Sequence, residues 1–121
     1  MATYRELLAR VKAEVDEIGA VEAREHHGEA LFVDVRERDE WEEGIVPGAV
    51  HIPRGSLEFK ADRSSPTAEK SLAFDKPVIL HCASGGRAAL AGKLLKDMGY
   101  QKVYNLGGFK DWVEAGGKVD K

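Results

Sequence analysis

The chain has 121 residues, of which 43% are hydrophobic and 32% charged, and this composition fits one ordinary globular domain. Its formal net charge of -3 is small, so nothing in the charge favours a protein that binds nucleic acid or an acidic membrane surface. No stretch approaches the roughly 18 apolar residues of a membrane span, and charges recur through residues 1–18, so we expect no signal peptide.

The first segment has the pattern of an amphipathic helix. Thr3 and Glu6 form a capping-box pattern, in which each side chain can accept a hydrogen bond from a free N–H group of the first turn. Apolar residues then recur at helical spacing, at Tyr4, Leu7, Leu8, Val11, Val15 and Ile18. We expect this helix to pack on the domain, with a dimerisation helix as the alternative. Residues 20–28 predict a second, short helix that ends at Gly28.

The middle of the chain alternates between strand and helix patterns. Residues 30–35 are a continuous apolar run with β-branched residues, which predicts a buried strand. A short acidic helix is expected over 37–44, and a strand between prolines over 47–53. Ser65, followed by proline, predicts a helix that runs to about Phe74.

The last third predicts two more strands and two more helices. Residues 76–82 form a second apolar strand, and 86–99 form a helix rich in alanine, leucine and lysine. A strand over 102–106 and a helix within 107–117 follow. Strands that alternate with helices indicate an α/β fold with a largely parallel sheet.

The only cysteine of the chain, Cys82, lies at the predicted end of a central strand and just before a helix. Ligands of open α/β sheets bind beyond the carboxyl ends of the strands. The free N–H groups and the positive dipole end of a helix favour an anion, so we expect the thiolate form of Cys82 to be favoured, with help from Arg87. A lone thiol is also typical of a reducing compartment, which predicts a cytoplasmic protein.

The residues after the cysteine predict a cup of backbone donors. Gly85 and Gly86 can adopt angles that turn several N–H groups inward, and Ala83 and Ser84 are too small to block them. Such a cup suits a persulfide or a tetrahedral anion. The alternative is that Cys82 is one more small buried hydrophobic residue, but the glycines and the helix start favour a function.

Four segments together resemble the rhodanese (thiosulfate sulfurtransferase) homology domain: "LFVDVRERDEWEEG", "PGAVHIPRGSLEF", "CASGGRAALAGKLLKDMGY" and "VYNLGGFKDWVEAG". The resemblance covers residues from about 17 to 117. It implies a three-layer α/β fold, with a mostly parallel central sheet of about five strands and helices on both faces. We therefore expect an N-terminal amphipathic helix over 1–16 and a rhodanese-like domain over 17–121.

The resemblance also implies an activity. Cys82 would be the catalytic nucleophile that takes sulfur from thiosulfate or another persulfide donor. The persulfide would rest in the amide cup of residues 83–87 until cyanide or a thiol removes the sulfur, in a ping-pong cycle. This chemistry needs no metal and no organic cofactor. The implied partners are a small anionic donor, a thiol or cyanide acceptor and a protein donor or acceptor, with no nucleic acid and no membrane.

Asp34 and Arg36 stand in "DVRE", at the predicted end of the neighbouring strand, which places them near the rim of the same pocket. The resemblance implies that this motif supports the active loop. Alternatively, Asp34 caps the next helix and Arg36 pairs with Glu40 or Glu43. Arg54 is either a positive residue at the pocket mouth or a solvated surface charge.

Two residues that depart from the family pattern, and the length of the loop after Cys82, bear on the function. Ile45 replaces the usual histidine of "GHIPGA", and Ala83 replaces a common arginine or lysine, which weakens the attraction for thiosulfate. A sulfur carrier with little turnover of small donors is therefore an alternative. Arg87 comes one position earlier than in the C-x5-R loop of cysteine phosphatases, which disfavours a phosphatase or an arsenate reductase.

Overall fold

The computed structural model describes residues 2–121. Five strands form one sheet in which every neighbouring pair is parallel. The order across the sheet is β1-β5-β4-β2-β3, so β4 is central. The strands are β1 (Asp16–Glu17), β2 (Leu31–Asp34), β3 (Val50–His51), β4 (Val78–Cys82) and β5 (Val103–Gly108).

Within residues 2–121, five α-helices and two 3₁₀ helices flank or connect the strands. The α-helices are α1 (Tyr4–Glu14), α2 (Ala20–Glu25), α3 (Leu57–Ala61), α4 (Gly86–Asp97) and α5 (Phe109–Glu114). The 3₁₀ helices are Arg38–Glu43 and Arg54–Ser56. No helix within residues 2–121 is long and apolar enough to cross a membrane.

The two faces of the sheet carry separate cores, because successive side chains of a strand point to opposite faces. On one face, Val33 of β2 and Leu80 of β4 pack with residues of α3 and α4. On the other, Phe32 and Ile79 pack with residues of α2 and α5, including the fully buried Trp112. The predicted three-layer fold is thus confirmed.

The prediction of a helix from Ser65 to Phe74 was wrong, because this segment folds as successive turns. The Ser65 hydroxyl accepts a hydrogen bond from the N–H of Thr67, two residues on, which closes a local turn instead of starting a helix. The Glu69 N–H donates to the Lys60 carbonyl, so the segment folds back on α3. The expected acidic helix at 37–44 is a 3₁₀ helix, and the strand expected over 47–53 is limited to β3.

The N-terminal helix forms as the capping pattern predicts. The Thr3 hydroxyl accepts a 3.1 Å hydrogen bond from the Glu6 N–H. The helix ends at Glu14, and Val15 and Ile18 are buried beyond it. Between them lies β1, a strand that the helical periodicity concealed. The domain boundary expected between residues 16 and 17 falls inside β1, and residue 1 of the expected N-terminal segment lies outside the described residues.

Candidate active site

Cys82 is the last residue of the central strand β4, and its side chain is fully buried. The Sγ atom accepts a 2.9 Å hydrogen bond from the Gly85 N–H and lies 3.4 Å from the Ala88 nitrogen, which also donates to it. These two amides come from the turn and from the first turn of α4. The sulfur therefore sits at a helix N-terminus, among donors that favour a negative charge.

The loop geometry depends on Gly85. Its φ of +102° is in the left-handed region, which side chains with a Cβ rarely adopt, and it brings the Gly85 N–H back towards the sulfur. Ala83 and Ser84 are exposed at the tip of the loop, whereas Gly85 and Gly86 are buried. Of the loop residues 83–87, Gly85 donates to the sulfur, and the second donor, Ala88, lies one position beyond the predicted set.

Arg87 forms an ion pair that was not predicted from the sequence. Its guanidinium makes a two-pronged ion pair with Glu40, with Nη1–Oε1 and Nη2–Oε2 distances of 2.6 and 2.9 Å. The Arg87 hydrogen bonds lower the pKa of Glu40 to about 2 from its ordinary 4.5, although burial opposes this. Glu40 in turn raises the pKa of Arg87. The positive charge beside the loop is therefore already paired.

This ion pair gives a pH-dependent stability. Since folding lowers the pKa of Glu40 from 4.5 to about 2, the stabilisation is complete above the higher value and disappears as the pH falls towards the lower one. We expect Glu40→Gln to melt a few degrees below the wild type at neutral pH, and this gap to close between these two values. Thermal unfolding measured across this pH range tests the expectation.

The matched control is Glu42→Gln, which removes an exposed carboxylate from the same 3₁₀ helix. Its melting temperature should follow that of the wild type at every pH. A gap for Glu40→Gln that stays constant down to the lowest pH would contradict the assigned role of the Glu40 carboxylate.

Asp34 and Arg36 are buried in the core and do not lie at a rim beside Cys82, where they were expected. They are 0% and 1% exposed, and they lie on the sheet face opposite to Cys82. The reason is the alternation along the strand: Val33 faces the α4 side, so Asp34 faces the α5 side. There the Arg36 guanidinium lies over the Phe109 ring, 4.5 Å from its centroid.

Arg36 acts as a clamp on the segment that carries Glu40. Its Nε and Nη2 donate to the Asp34 carboxylate at 2.8 to 3.0 Å. Its remaining donors reach the carbonyl groups of Glu40 and Gly44, at 3.3 and 2.8 Å. Arg36 therefore pairs with Asp34, and neither the Glu40 nor the Glu43 carboxylate is its partner. Through this clamp, the pair holds the 3₁₀ helix that presents Glu40 to Arg87.

His81, the neighbour of the cysteine, lies on the same face as Asp34. Its Nε2 is 3.3 Å from Asp34 Oδ2, in a contact that is not aligned as a hydrogen bond. Burial alone would raise the pKa of Asp34, but the contacts with His81 and Arg36 outweigh it and hold that pKa well below its ordinary value. Asp34 thus carries a negative charge in the core beside two basic side chains.

The end of β5 supports the loop from its other side, and the sequence analysis did not assign this role. The Asn105 amide reaches the Gly85 carbonyl at 3.4 Å and accepts from the Gly107 N–H at 2.8 Å. A Cβ at Gly108 would collide with the Ala83 carbonyl. The sequence signal for this role was Gly107–Gly108, the glycine pair directly after the strand predicted over 102–106. Such glycines mark a close approach of two backbones.

The remaining candidates have structural partners. Arg54 pairs with Glu58 at 3.1 Å and lines a groove between α1 and α4. Ile45 forms a backbone bridge with Asp120 near the end of the chain. Trp41 lies against the His51 ring, with centroids 4.4 Å apart. Within residues 2–121, no group of three or more histidine, cysteine, aspartate or glutamate side chains is arranged for a metal ion.

Comparison with known proteins gives a family and several relatives. The family model of the rhodanese-like domain matches residues 18–115. The chain is 36% identical over 83 residues to the "Putative sulfur carrier protein YrkF" of Bacillus subtilis, a match that covers 68% of this chain and 40% of YrkF. It is 31% identical over 94 residues to the "Putative thiosulfate sulfurtransferase, mitochondrial" of Schizosaccharomyces pombe, with 74% and 65% covered. Both matches thus span less than two thirds of the relative.

One solved structure resembles nearly the whole chain. It is a Rhodopseudomonas palustris protein of unknown function, described as a possible tyrosine phosphatase. The TM-score is 0.91 at 32% identity, and the match covers 99% of this chain and 96% of the other. The similarity therefore includes α1, which the family model leaves out.

Proposed function

The chain belongs to the rhodanese-like domain family, and from this premise we propose that it is a sulfurtransferase that carries sulfane sulfur on Cys82. The observation that carries the proposal is the position of Cys82 Sγ, which accepts hydrogen bonds from Gly85 and Ala88 at the start of α4. Backbone donors of this kind stabilise a thiolate before the reaction and a persulfide anion after it.

The proposed cycle has two displacement steps. The Cys82 thiolate attacks the outer sulfur of thiosulfate, a new S–S bond forms, and sulfite leaves with the electron pair of the bond that breaks. Cyanide then attacks the outer sulfur of the Cys82 persulfide, which yields thiocyanate and returns the thiolate. A thiolate acceptor would take the sulfur in the same way and become a persulfide itself. Each step conserves charge and requires no oxidant, and the cycle is ping-pong.

The paired state of Arg87 bears on the choice of donor. Thiosulfate is a dianion, but Glu40 neutralises Arg87 and the position after the cysteine is the uncharged Ala83. Attraction of a dianion then rests mainly on the loop amides. We propose that thiosulfate is a weak donor for this site, and that persulfides with less charge are better ones.

A cation at the loop tip should improve the use of thiosulfate. Ala83 is exposed, so an arginine fits there without disturbing the core. We expect Ala83→Arg to raise kcat/KM for thiosulfate about tenfold, through electrostatic attraction of the dianion. Steady-state kinetics at low and high salt measure this gain, which salt should reduce. Ala83→Gln is the uncharged control, and an equal gain in that variant would contradict the electrostatic explanation.

The direct test of the proposed function is the intact mass of the reduced protein before and after incubation with thiosulfate or a persulfide. A gain of one sulfur atom, about 32 Da, that cyanide removes would support a Cys82 persulfide. If neither small donor nor a persulfidated protein adds sulfur to the chain, the proposal is wrong.

A sulfur-carrier function is the second candidate, and the similarity to YrkF favours it. A carrier would take sulfur from one protein and pass it to another with little turnover of small donors. The same mass experiment separates the two functions. A carrier is loaded by a persulfidated protein and hardly by any small donor, whereas the proposed enzyme is also loaded by low-molecular persulfides and, more weakly, by thiosulfate.

The description of the R. palustris protein suggests a phosphatase as a third candidate function. The loop disfavours it, because Arg87 lies one position closer to the cysteine than in C-x5-R and is bound by Glu40. Hydrolysis of an aryl phosphate that disappears in Cys82→Ser would favour the phosphatase.

The cellular setting is also a proposal. The single thiol supports a cytoplasmic protein that exchanges sulfur with small thiols or with proteins. Cell fractionation with an antibody to the chain tests the location.

A further inference from the structure

The N-terminal helix α1 lies along α4, and the two helices run in the same direction. Val15, just after α1, contacts Gly92 in the second half of α4, and the Glu14 carbonyl accepts from Lys96 at 2.8 Å. Val11 packs on Ala89, nearer the start of α4. The beginning of α1 therefore reaches the carboxyl edge of the sheet, where the Cys82 loop lies.

At this edge, Tyr4 contacts the loop. A Cβ built on Gly86 would collide with the Tyr4 hydroxyl, whereas the ring carbon Cζ would lie 3.6 Å away, at ordinary van der Waals distance. The hydroxyl thus occupies the space that a methyl group on Gly86 would need. Gly86 is the first residue of α4 and lies between Gly85 and Ala88, the two residues whose N–H groups donate to Cys82 Sγ.

Tyr4 is 61% exposed, so its hydroxyl meets the Gly86 side of the cup from the solvent side. Any outward shift of Gly86 changes the positions of the amides on both sides of it, because the three residues belong to one turn. On the inner side, Asn105 and Gly107 limit the movement of Gly85. On the outer side, the Tyr4 hydroxyl fills the contact with Gly86.

We propose that Tyr4 is a positioning residue for the Cys82 loop, supplied by a helix outside the matched family region of residues 18–115. The inference rests on the proposed function, since the positioned group is the sulfur acceptor Cys82. It makes α1 a part of the site, and it predicts that the chain without α1 transfers sulfur poorly.

A reciprocal exchange of size tests the contact. Gly86→Ala adds a methyl group that meets the Tyr4 hydroxyl, and Tyr4→Phe removes that hydroxyl. In the double variant, the added methyl group occupies the space that the removed hydroxyl leaves. Because the clash is with the exposed end of the Tyr4 side chain, we expect Gly86→Ala to lower kcat/KM about threefold and Tyr4→Phe about twofold, with the double variant equal to the wild type within error.

Two further measurements separate this role from simple helix docking. Gly92→Ala introduces a collision with Val15, farther along the same helix pair and away from the Tyr4–Gly86 contact. Its loss of thermal stability should not be rescued by Tyr4→Phe. In amide NMR spectra, Tyr4→Phe should shift the signals of Gly85 and Ala88, whereas Leu7→Ala, an exposed change in α1, should leave them in place.

The possible outcomes are distinct. If the losses in the two single variants multiply in the double variant, Tyr4 does not position the loop. If Gly86→Ala alone does not fold, recovery of folding in the double variant supports the contact, and no recovery overturns it. If the wild type transfers no sulfur, the proposed function fails, while the amide signals still decide whether Tyr4 holds the loop.

Discussion

Replacing Cys82 with serine should lower sulfur transfer at least about a thousandfold, because the chain then has no thiol to carry a persulfide. A serine hydroxyl stays protonated at neutral pH and is a poor nucleophile towards sulfur. The fold should survive, since the smaller oxygen occupies the same buried position and can accept the same two N–H groups. Steady-state sulfur transfer and circular dichroism of the same samples measure both parts of the expectation.

A second variant shows which property of the residue matters. Cys82→Ala lacks both the thiol and the hydroxyl, and we expect it to be as inactive as Cys82→Ser and as well folded. Turnover of either variant near the wild-type rate would show that sulfur transfer does not pass through Cys82.

Replacing Arg36 with alanine should give the largest loss of stability among the site variants. Its partner Asp34 is fully buried, and the variant would leave that carboxylate without its main source of positive charge. Removal of one member of a buried ion pair typically costs about 3–5 kcal/mol. For a domain of this size we expect a fall in melting temperature of roughly 10–20 °C.

The matched control is Arg54→Ala, which breaks an ion pair with the half-exposed Glu58. A surface pair contributes about 1 kcal/mol or less, so this variant should melt within a few degrees of the wild type. Arg36→Lys keeps the charge of residue 36 but loses the planar fork that reaches the Glu40 and Gly44 carbonyls. Its melting temperature should lie between those of Arg36→Ala and Arg54→Ala. Equal melting temperatures of all three variants would rule out the clamp.

The features that the sequence predicts well are those set by local patterns. The apolar runs of β2 and β4 are strands, and the helix over α4 appears with Gly99 beyond its end, because hydrophobic periodicity and glycine positions act over a few residues. Cys82 and the glycine loop could be recognised for the same reason, since the strand, the turn and the helix start are contiguous.

The features that it misses depend on residues far apart in the chain. Nothing local marks Glu40 as the partner of Arg87, or Tyr4 as a neighbour of Gly86, because the fold brings these pairs together. Arg36 was expected at a rim because neighbouring strands end at the same edge of the sheet, which is true. That argument did not consider which face of the sheet each side chain occupies. The strand β1 was hidden since its flanking valine and isoleucine continue the helical spacing of α1.

The order of the strands has a consequence for how the site comes into being. Each pairing in the sheet joins segments that are separated by other elements, and β1 at one edge pairs with β5, near the opposite end of the chain. Such a topology depends on non-local contacts, so we expect it to fold more slowly than a helical bundle of similar length. The donors to the sulfur belong to the contiguous β4–α4 segment, but their supports at Asn105 and in the Glu40 segment come from distant parts of the chain. A fragment that keeps the loop sequence but lacks these distant segments would leave the loop around Cys82 without its supports.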